Sequence, residues 1–332
     1  MSKNRWLLLL LSLIIIAVGI KLYRSYSSND LGKIVLAENI TPVSAPVTVA
    51  RVKDYFKEEG IQCQTIPFAS GRLALDALIG GKANFATVAE TPIVLASMQG
   101  QPITVLCTFT SSEKNTKILA RKDKGVQNPN DLIGKKIAVT FGTNGAYYLQ
   151  IFLRTHNIRA DNVQLINLSP PDMATAISRG DVDAICTWEP HIWNAKKLVG
   201  DEAVVLLNNP GIYTQTFNIV AMKGYTSNND KILTGFLKAL NKSVIYIKEH
   251  EDEAIAIVAR ENNMTETDLR AIWNDYVFDV VLDTGLVKAI TGQAEWALNT
   301  NLATPESHLP PMEQLLTPGP LKSLKLESVN LQ

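Results

Sequence analysis

Two stretches of this chain repeat one local plan, and the repetition restricts the fold more than any other feature. The first is ALIGGKANFATVAETP, from Ala77 to Pro92. The second is AISRGDVDAICTWEP, from Ala176 to Pro190. Aligned on Gly81 and Gly180, Asn84 meets Asp183 and Glu90 meets Glu189, while Pro92 and Pro190 agree with a one-residue shift. In each copy a helical pattern ends at glycine and a short apolar run follows. A Glu and a Pro then stand where a new helix begins. Such an echo arises by chance, or from two similar α/β lobes that each offer a strand end to a shared cleft.

The chain around these stretches alternates strand and helix. Lys33–Glu38, Ile61–Ile66, Phe85–Val88 and Ile103–Phe109 are short apolar runs of the kind buried parallel strands show. Between them lie a helix from Ser44 to Glu59, a helix capped by Ser70 with Leu73, Ala74, Ala77 and Leu78 inward, and a helix opened by Thr91-Pro92. A second series runs through Lys136–Thr140, Val163–Leu168 and Val182–Cys186, with Val204–Leu207 as an edge strand. This alternation predicts mostly parallel sheets covered on both faces. Ligands in such sheets sit beyond the carboxyl ends of the strands, which points to the loops Asn39–Ser44 and Ala89–Pro92. Ser111–Asn115 reads as the crossing to a second lobe and Phe217–Met222 as the return. After Asn229 the pattern is helical, with Leu233, Leu237, Leu240, Val244 and Ile247 on one face. The Pro-rich tail with Leu321, Leu324 and Leu326 is expected to drape on a surface.

The expected organisation is an N-terminal signal anchor or signal peptide with its tether over 1–30, a first lobe over 31–112, and a second lobe over 113–213. The return strand and C-terminal helices span 214–300, and a tail spans 301–332. The N-terminal expectation rests on charge and hydropathy. Lys3 and Arg5 precede an apolar run from Trp6 to Ile20, and Lys21 and Arg24 follow it. The run lies near the lower edge of the membrane-spanning range, about 17 residues. It shows no small-x-small cleavage site and no following cysteine that could carry a lipid. An uncleaved anchor facing the cell exterior or periplasm is the favoured reading over a cleaved signal.

Composition removes several functions. The 32 basic and 32 acidic residues of the 332 cancel, so nothing electrostatic supports nucleic-acid binding. Cys63, Cys107 and Cys186 lie far apart in apolar contexts and make no metal spacing. His191 stands apart from His156, His250 and His308, and neither an HExxH nor a GxSxG pattern occurs. No catalytic residue, metal or cofactor is expected. Asp181 reads as a turn residue and Asp183 as support at a strand edge.

Candidate ligand contacts follow from the strand ends. Gly142-Thr143-Asn144-Gly145 feeds a helix but has neither GxGxxG nor GK[ST] spacing. Unpaired N–H groups at that helix start, beside Thr143 and Asn144, suit a small anion or polar head group. Thr41 and Ser44 occupy the corresponding loop of the first unit, where Ser44 is either a helix cap or a ligand contact. Glu90 and Glu189, with Thr91, either favour the dipoles of their own helices or flank the cleft and draw a cationic or N–H-donating ligand. A third arrangement turns the carboxylates away and leaves the N–H groups to act. Trp188 is the best aromatic wall. Tyr213 and one of Tyr147 and Tyr148 are further candidates, since a helical pair points two ways.

At this point the chain resembles a known family. VARVKDYFKEEGI (Val49–Ile61), the Ala77–Pro92 stretch, GKKIAVTFGTNGAYY (Gly134–Tyr148) and Ala174–Pro190 are similar to solute-binding proteins of ABC importers. The group is the nitrate/sulfonate/taurine one, which includes thiamine-precursor binders. The resemblance covers about Lys33 to Leu298. It implies a type II periplasmic-binding-protein fold: two βαβ lobes with a central cleft, and C-terminal helices packed on the first lobe. It implies ligand contact by Thr41–Ser44, Ala89–Thr91, Thr143–Asn144 and the Trp188–Glu189 segment. The implied role is a monomeric, non-enzymatic carrier that delivers a small organic or anionic solute to a permease with its ATPase. That solute is sulfonate-, taurine- or nitrate-like, or a pyrimidine precursor. Two departures stand out: the lipidated cysteine of many relatives is missing, and no Arg or Lys is visible in these loops to pair with an anion. A ligand-sensing partner of a membrane receptor and a fold-related pyrimidine-synthesis enzyme are the alternatives. The enzyme's Cys-rich stretch is absent.

Overall fold

The apolar runs pair into two sheets among the described residues. The computed structural model describes residues 31–324 and 326–331. The N-terminal apolar run and its expected anchoring lie outside the described residues. No helix among the described residues is long and apolar enough to cross a membrane.

The first lobe is built on a seven-stranded sheet of order β12-β11-β4-β10-β3-β1-β2. Its strands are β1 (Gly32–Glu38), β2 (Ile61–Pro67), β3 (Phe85–Ala89), β4 (Ile103–Ser112), β10 (Gln215–Met222), β11 (Val277–Asp283) and β12 (Val329–Asn330). β1 runs parallel to β2 and β3, and β10 is antiparallel to β3 and β4. The second lobe has a five-stranded sheet of order β7-β6-β8-β5-β9. It comprises β5 (Thr116–Arg121), β6 (Lys136–Val139), β7 (Gln164–Asn167), β8 (Ala184–Trp188) and β9 (Val204–Leu207). Period-2 alternation splits its core in two. Ile118, Ile137 and Cys186 pack with Tyr148 and Phe152 on one face, while Leu119, Ala138 and Ile185 pack with Met173 and Ile177 on the other. This is the two-lobed type II periplasmic-binding-protein architecture, with the C-terminal helices on the first lobe. Two segments, between β4 and β5 and between β9 and β10, carry the chain across.

Several local expectations need correction. The helix expected over 44–59 breaks at Asp54, which takes the left-handed conformation with φ 59° and separates Ala45–Val52 from Tyr55–Glu58. Leu73 is 46 % exposed, because the Gly71–Ile79 helix turns Ala74, Leu75 and Leu78 to the sheet instead. The segment after Tyr276 forms β11, whose Phe278, Val280 and Leu282 alternate into the core. The tail does not drape on a surface. Leu315, Leu316 and Leu321 are buried, Thr104 Oγ1 donates to the Leu315 carbonyl at 3.0 Å, and β12 extends the first sheet beside β11.

One buried carboxyl gives the first lobe a titratable element. Glu38 ends β1 fully buried, with Arg51 Nε 3.7 Å away and Thr48 Oγ1 at 3.4 Å. Burial pushes its carboxyl up to about 7 from an ordinary 4.5, against the opposing pull of Arg51 and Thr48. A raised carboxyl pKa favours the folded state only while the proton is held. That contribution is full below about pH 4.5 and is lost as pH rises through about 7. Glu38→Gln should remove it. In urea denaturation, wild type should lose about 3 kcal/mol relative to the variant between about pH 4.5 and pH 8. Parallel pH profiles of the two proteins would refute this.

Candidate functional site

The carboxyl ends of the parallel strands in both lobes meet at one cavity. After β1, Asn39 and Val43 line it. After β2 come Ser70, Gly71 and Arg72, and after β3 come Ala89 and Pro92. The second lobe adds Thr143, Asn144 and Trp188, and the start of β10 adds Gln215 and Phe217. The space between them, with the open solvent at its mouth included, is about 290 Å3.

Three helices of nine, nine and twelve residues begin at this cavity, at Gly71, Glu90 and Asn144. The first is capped by Ser70, whose Oγ accepts from Leu73 N at 3.3 Å. The other two have no side-chain cap bond. Thr143 instead donates its Oγ1 to the Thr140 carbonyl at 2.7 Å. Gly71 sits in close approach to β3: a Cβ there would meet the Thr87 carbonyl oxygen and Val88 Cα at 3.1 Å, so a larger residue would have to displace this backbone slightly. Arg72 spans the mouth and donates from Nη1 to the Phe141 carbonyl of the opposite lobe at 2.6 Å. Trp188 is 5 % exposed, and its indole Nε1 is buried with no hydrogen-bond partner.

The sequence candidates divide into two groups. Thr143, Asn144 and Trp188 line the cavity. Thr41, Ser44, Glu90, Thr91, Tyr147, Glu189 and Tyr213 are not among its lining residues, and most have evident tasks elsewhere. Ser44 is not a side-chain cap: its Oγ donates to the Asn39 carbonyl at 2.7 Å and so shapes the loop after β1. Thr41 and Thr91 are buried with hydroxyls that have no partner. Tyr147 packs between Tyr213 and Trp296, at ring distances of 5.4 and 5.1 Å. Beside it Trp296 Nε1 donates to Gln150 Oε1 at 3.0 Å, joining a C-terminal helix to the second lobe.

Both glutamates are spent on structure. Glu189 accepts from Lys117 Nζ at 2.9 Å and from Trp193 N at 3.0 Å. Lys117 also reaches Asp275 Oδ2 of the first lobe at 3.4 Å. Glu90 is fully buried and accepts from Tyr213 Oη, Gln293 Nε2 at 2.8 Å, Thr216 N at 2.9 Å and Thr216 Oγ1 at 3.0 Å. Burial pushes the Glu90 carboxyl above its ordinary range, and these donors pull it back. Next to it, burial and the Glu90 carboxylate hold the Tyr213 hydroxyl well above its ordinary value. The crossing segments are tied by Gln215 Oε1, which accepts from Asn115 Nδ2, Thr116 Oγ1 and Asn144 Nδ2 at 3.0, 3.1 and 3.2 Å.

Sequence reasoning did not single out Arg72, which lines the cavity from outside the loops found to hold no Arg or Lys. The signal was available. β2 lies parallel beside β1, so its following loop opens on the same edge, and Arg72 is the second residue of the helix that Ser70 caps. Burial pushes His191 down to about 4, so its ring is neutral. Burial also raises all three thiols. No group of three or more His, Cys, Asp or Glu suited to a metal occurs among the described residues.

The NMT1/THI5-like family profile matches residues 41–254. The chain belongs to that family. It is 26 % identical over 261 residues to a Bacillus subtilis (strain 168) protein named, provisionally, as an aliphatic sulfonates-binding protein. That match covers 77 % of this chain and 78 % of the other. It is 29 % identical over 236 residues to the taurine-binding periplasmic protein of Escherichia coli (strain K12), covering 68 % and 72 %. In structure it matches the alkanesulfonate-binding protein SsuA from Xanthomonas axonopodis pv. citri, solved bound to MOPS. That match has a TM-score of 0.76 at 18 % identity, over 86 % of this chain and 98 % of that one, and it concerns the fold alone.

The Glu90 cluster yields a stability test. Glu90→Ala leaves the Tyr213 hydroxyl, the Thr216 N–H and the Gln293 amide buried without their acceptor. Urea denaturation should show a loss of at least about 3 kcal/mol. Tyr213→Phe removes one donor of four and should cost about 1 kcal/mol. Equal losses in the two variants would contradict the hub arrangement.

Proposed function

We propose that this chain is the solute-binding component of an ABC importer, and that it captures a small organic anion of the sulfonate class between its lobes. The carrying observation is the cavity itself: three helix N-termini and Arg72 converge on it, while Glu90 and Glu189 are bonded elsewhere. Helix starts present unpaired N–H groups and partial positive charge, and a guanidinium matches the oxygens of a sulfonate. The names of the relatives support the same ligand class. The chain acts as a carrier and not as an enzyme, and passes its ligand to a permease driven by an ATPase.

The protein works at the cell envelope, on the periplasmic or extracellular side, and the N-terminal apolar run holds it to the membrane. Residues 31–112 and 214–300 form one lobe, with the tail packed on it, and 113–213 form the other. Asn39, Ser70 and Arg72 receive the anion from one side, Thr143, Asn144 and Trp188 from the other. Closure around the ligand is a shift toward the arrangement in which both sets make contact.

The test is binding by the full chain in mild detergent. A short alkanesulfonate should change Trp188 fluorescence, and Trp188→Phe should remove that change. At about one hundred times Kd, the ligand should stabilise the fold by about 2.7 kcal/mol. Arg72→Ala should weaken binding at least about tenfold, since a charge-assisted pair is lost. Chemical turnover of the bound compound would overturn the carrier reading in favour of an enzyme.

A further inference from the structure

The cavity wall carries one side-chain charge, and it is positive. Arg72 stands at the mouth, and no aspartate or glutamate lines the cavity among the described residues. Of the carboxylates that adjoin the wall in sequence, Glu38, next to Asn39, is fully buried with Arg51 Nε at 3.7 Å, and two others are filled by hydrogen bonds. Glu90, next to Ala89, is held by Tyr213, Thr216 and Gln293. Glu189, next to Trp188, is held by Lys117 and by the Trp193 N–H. A second cation placed inside would face Arg72 and the positive ends of three helices. Its remaining neighbours are neutral hydroxyls and amides, and the apolar Val43, Pro92, Trp188 and Phe217.

We infer that this site selects a sulfonate whose body is uncharged and rejects the zwitterionic aminoalkyl sulfonate of the same length. The inference rests on the sulfonate reading above and sharpens it. An ammonium group entering the cavity gives up its water and finds no carboxylate in exchange. A methyl group in the same place leaves water for an apolar wall, which is favourable. Discrimination therefore comes from the sign of the wall and not from size. One of the relatives is a taurine-binding protein, so this is a choice that the family leaves open and that the lining residues of this chain make.

Three probes separate charge from shape. Propane-1-sulfonate, isethionate and taurine share the ethyl sulfonate frame and end in methyl, hydroxyl and ammonium. Calorimetric titration of the full chain in detergent should find taurine at least about 100-fold weaker than propane-1-sulfonate, with isethionate between them. Ser70→Asp supplies the missing carboxylate, and aspartate keeps the helix cap that Ser70 provides. In that variant the gap should narrow at least about tenfold. Taurine binding within about threefold of propane-1-sulfonate in wild type would overturn the inference and leave the sulfonate reading standing. Failure of all three to bind would overturn the sulfonate reading, and the inference with it. An unchanged gap in a folded Ser70→Asp protein would remove wall charge as the cause. If that variant does not fold, the wild-type ratio alone decides.

Discussion

The arrangement of the cleft depends on one buried carboxylate. Glu90 opens the helix after β3, accepts the Thr216 N–H near the start of β10, and takes donors from Tyr213 on the crossing segment and Gln293 on a C-terminal helix. Three parts of the chain far apart in sequence are thereby fixed at one point. Taking such a group out of water is costly unless its lone pairs are filled, and here four donors fill them. The same cluster sets where the return strand enters the first lobe. Gln215, one residue before Thr216, then binds Asn115, Thr116 and Asn144. The angle at which the second lobe meets the first is thus tied to Glu90 through a short run of hydrogen bonds.

Spending both glutamates in this way decides the electrostatics of the cavity. Had either carboxylate faced inward, it would have offset the helix N-termini and admitted a cation. With Glu90 satisfied by neutral donors and Glu189 by Lys117, the wall keeps the partial positive charge of three helix starts together with Arg72. The repeated strand–Glu motif therefore supplies a frame. The first copy brings a helix start to the cavity and the second brings Trp188, and neither copy contributes its acidic group to the wall.

Most of the fold was legible because burial leaves a periodic mark. Continuous apolar runs identified β1, β3, β4 and β8, and the glycine-ended helices gave the two lobes. β11 was missed although its burial alternates, since the run VFDVVLD carries two aspartates and follows a long helical pattern. The tail was misread because Leu315, Leu316 and Leu321 show no period of their own. Their burial follows from contact with the first sheet, which no local pattern encodes. At the site, strand-end logic named Thr143, Asn144 and Trp188, which line the cavity. It also named Tyr147 and Tyr213, whose rings pack at the seam between lobes, and Ser44, whose hydroxyl is turned to its own loop. Residue type alone does not show whether a polar group at a strand end faces a ligand or a neighbouring backbone.

The two ends of the cleft bear on how a ligand acts. At the mouth, Arg72 reaches the Phe141 carbonyl, and a Cβ on Gly142 would lie 2.9 Å from Arg72 Nη1, so glycine there lets the guanidinium approach. On a separate seam, Trp296 bonds Gln150 and flanks Tyr147. Contacts between the lobes thus exist that are made by protein groups alone. A solute changes the balance between open and closed arrangements only through the difference in its affinity for them. A ligand that touched Ser70 and Asn39 alone would bind both arrangements equally and shift nothing. One that also reaches Thr143, Asn144 and Trp188 gains contacts only when the lobes are together. On the proposed function, donors on both walls, with Arg72 exchanging the Phe141 carbonyl for an incoming anion, would make closure respond to the ligand.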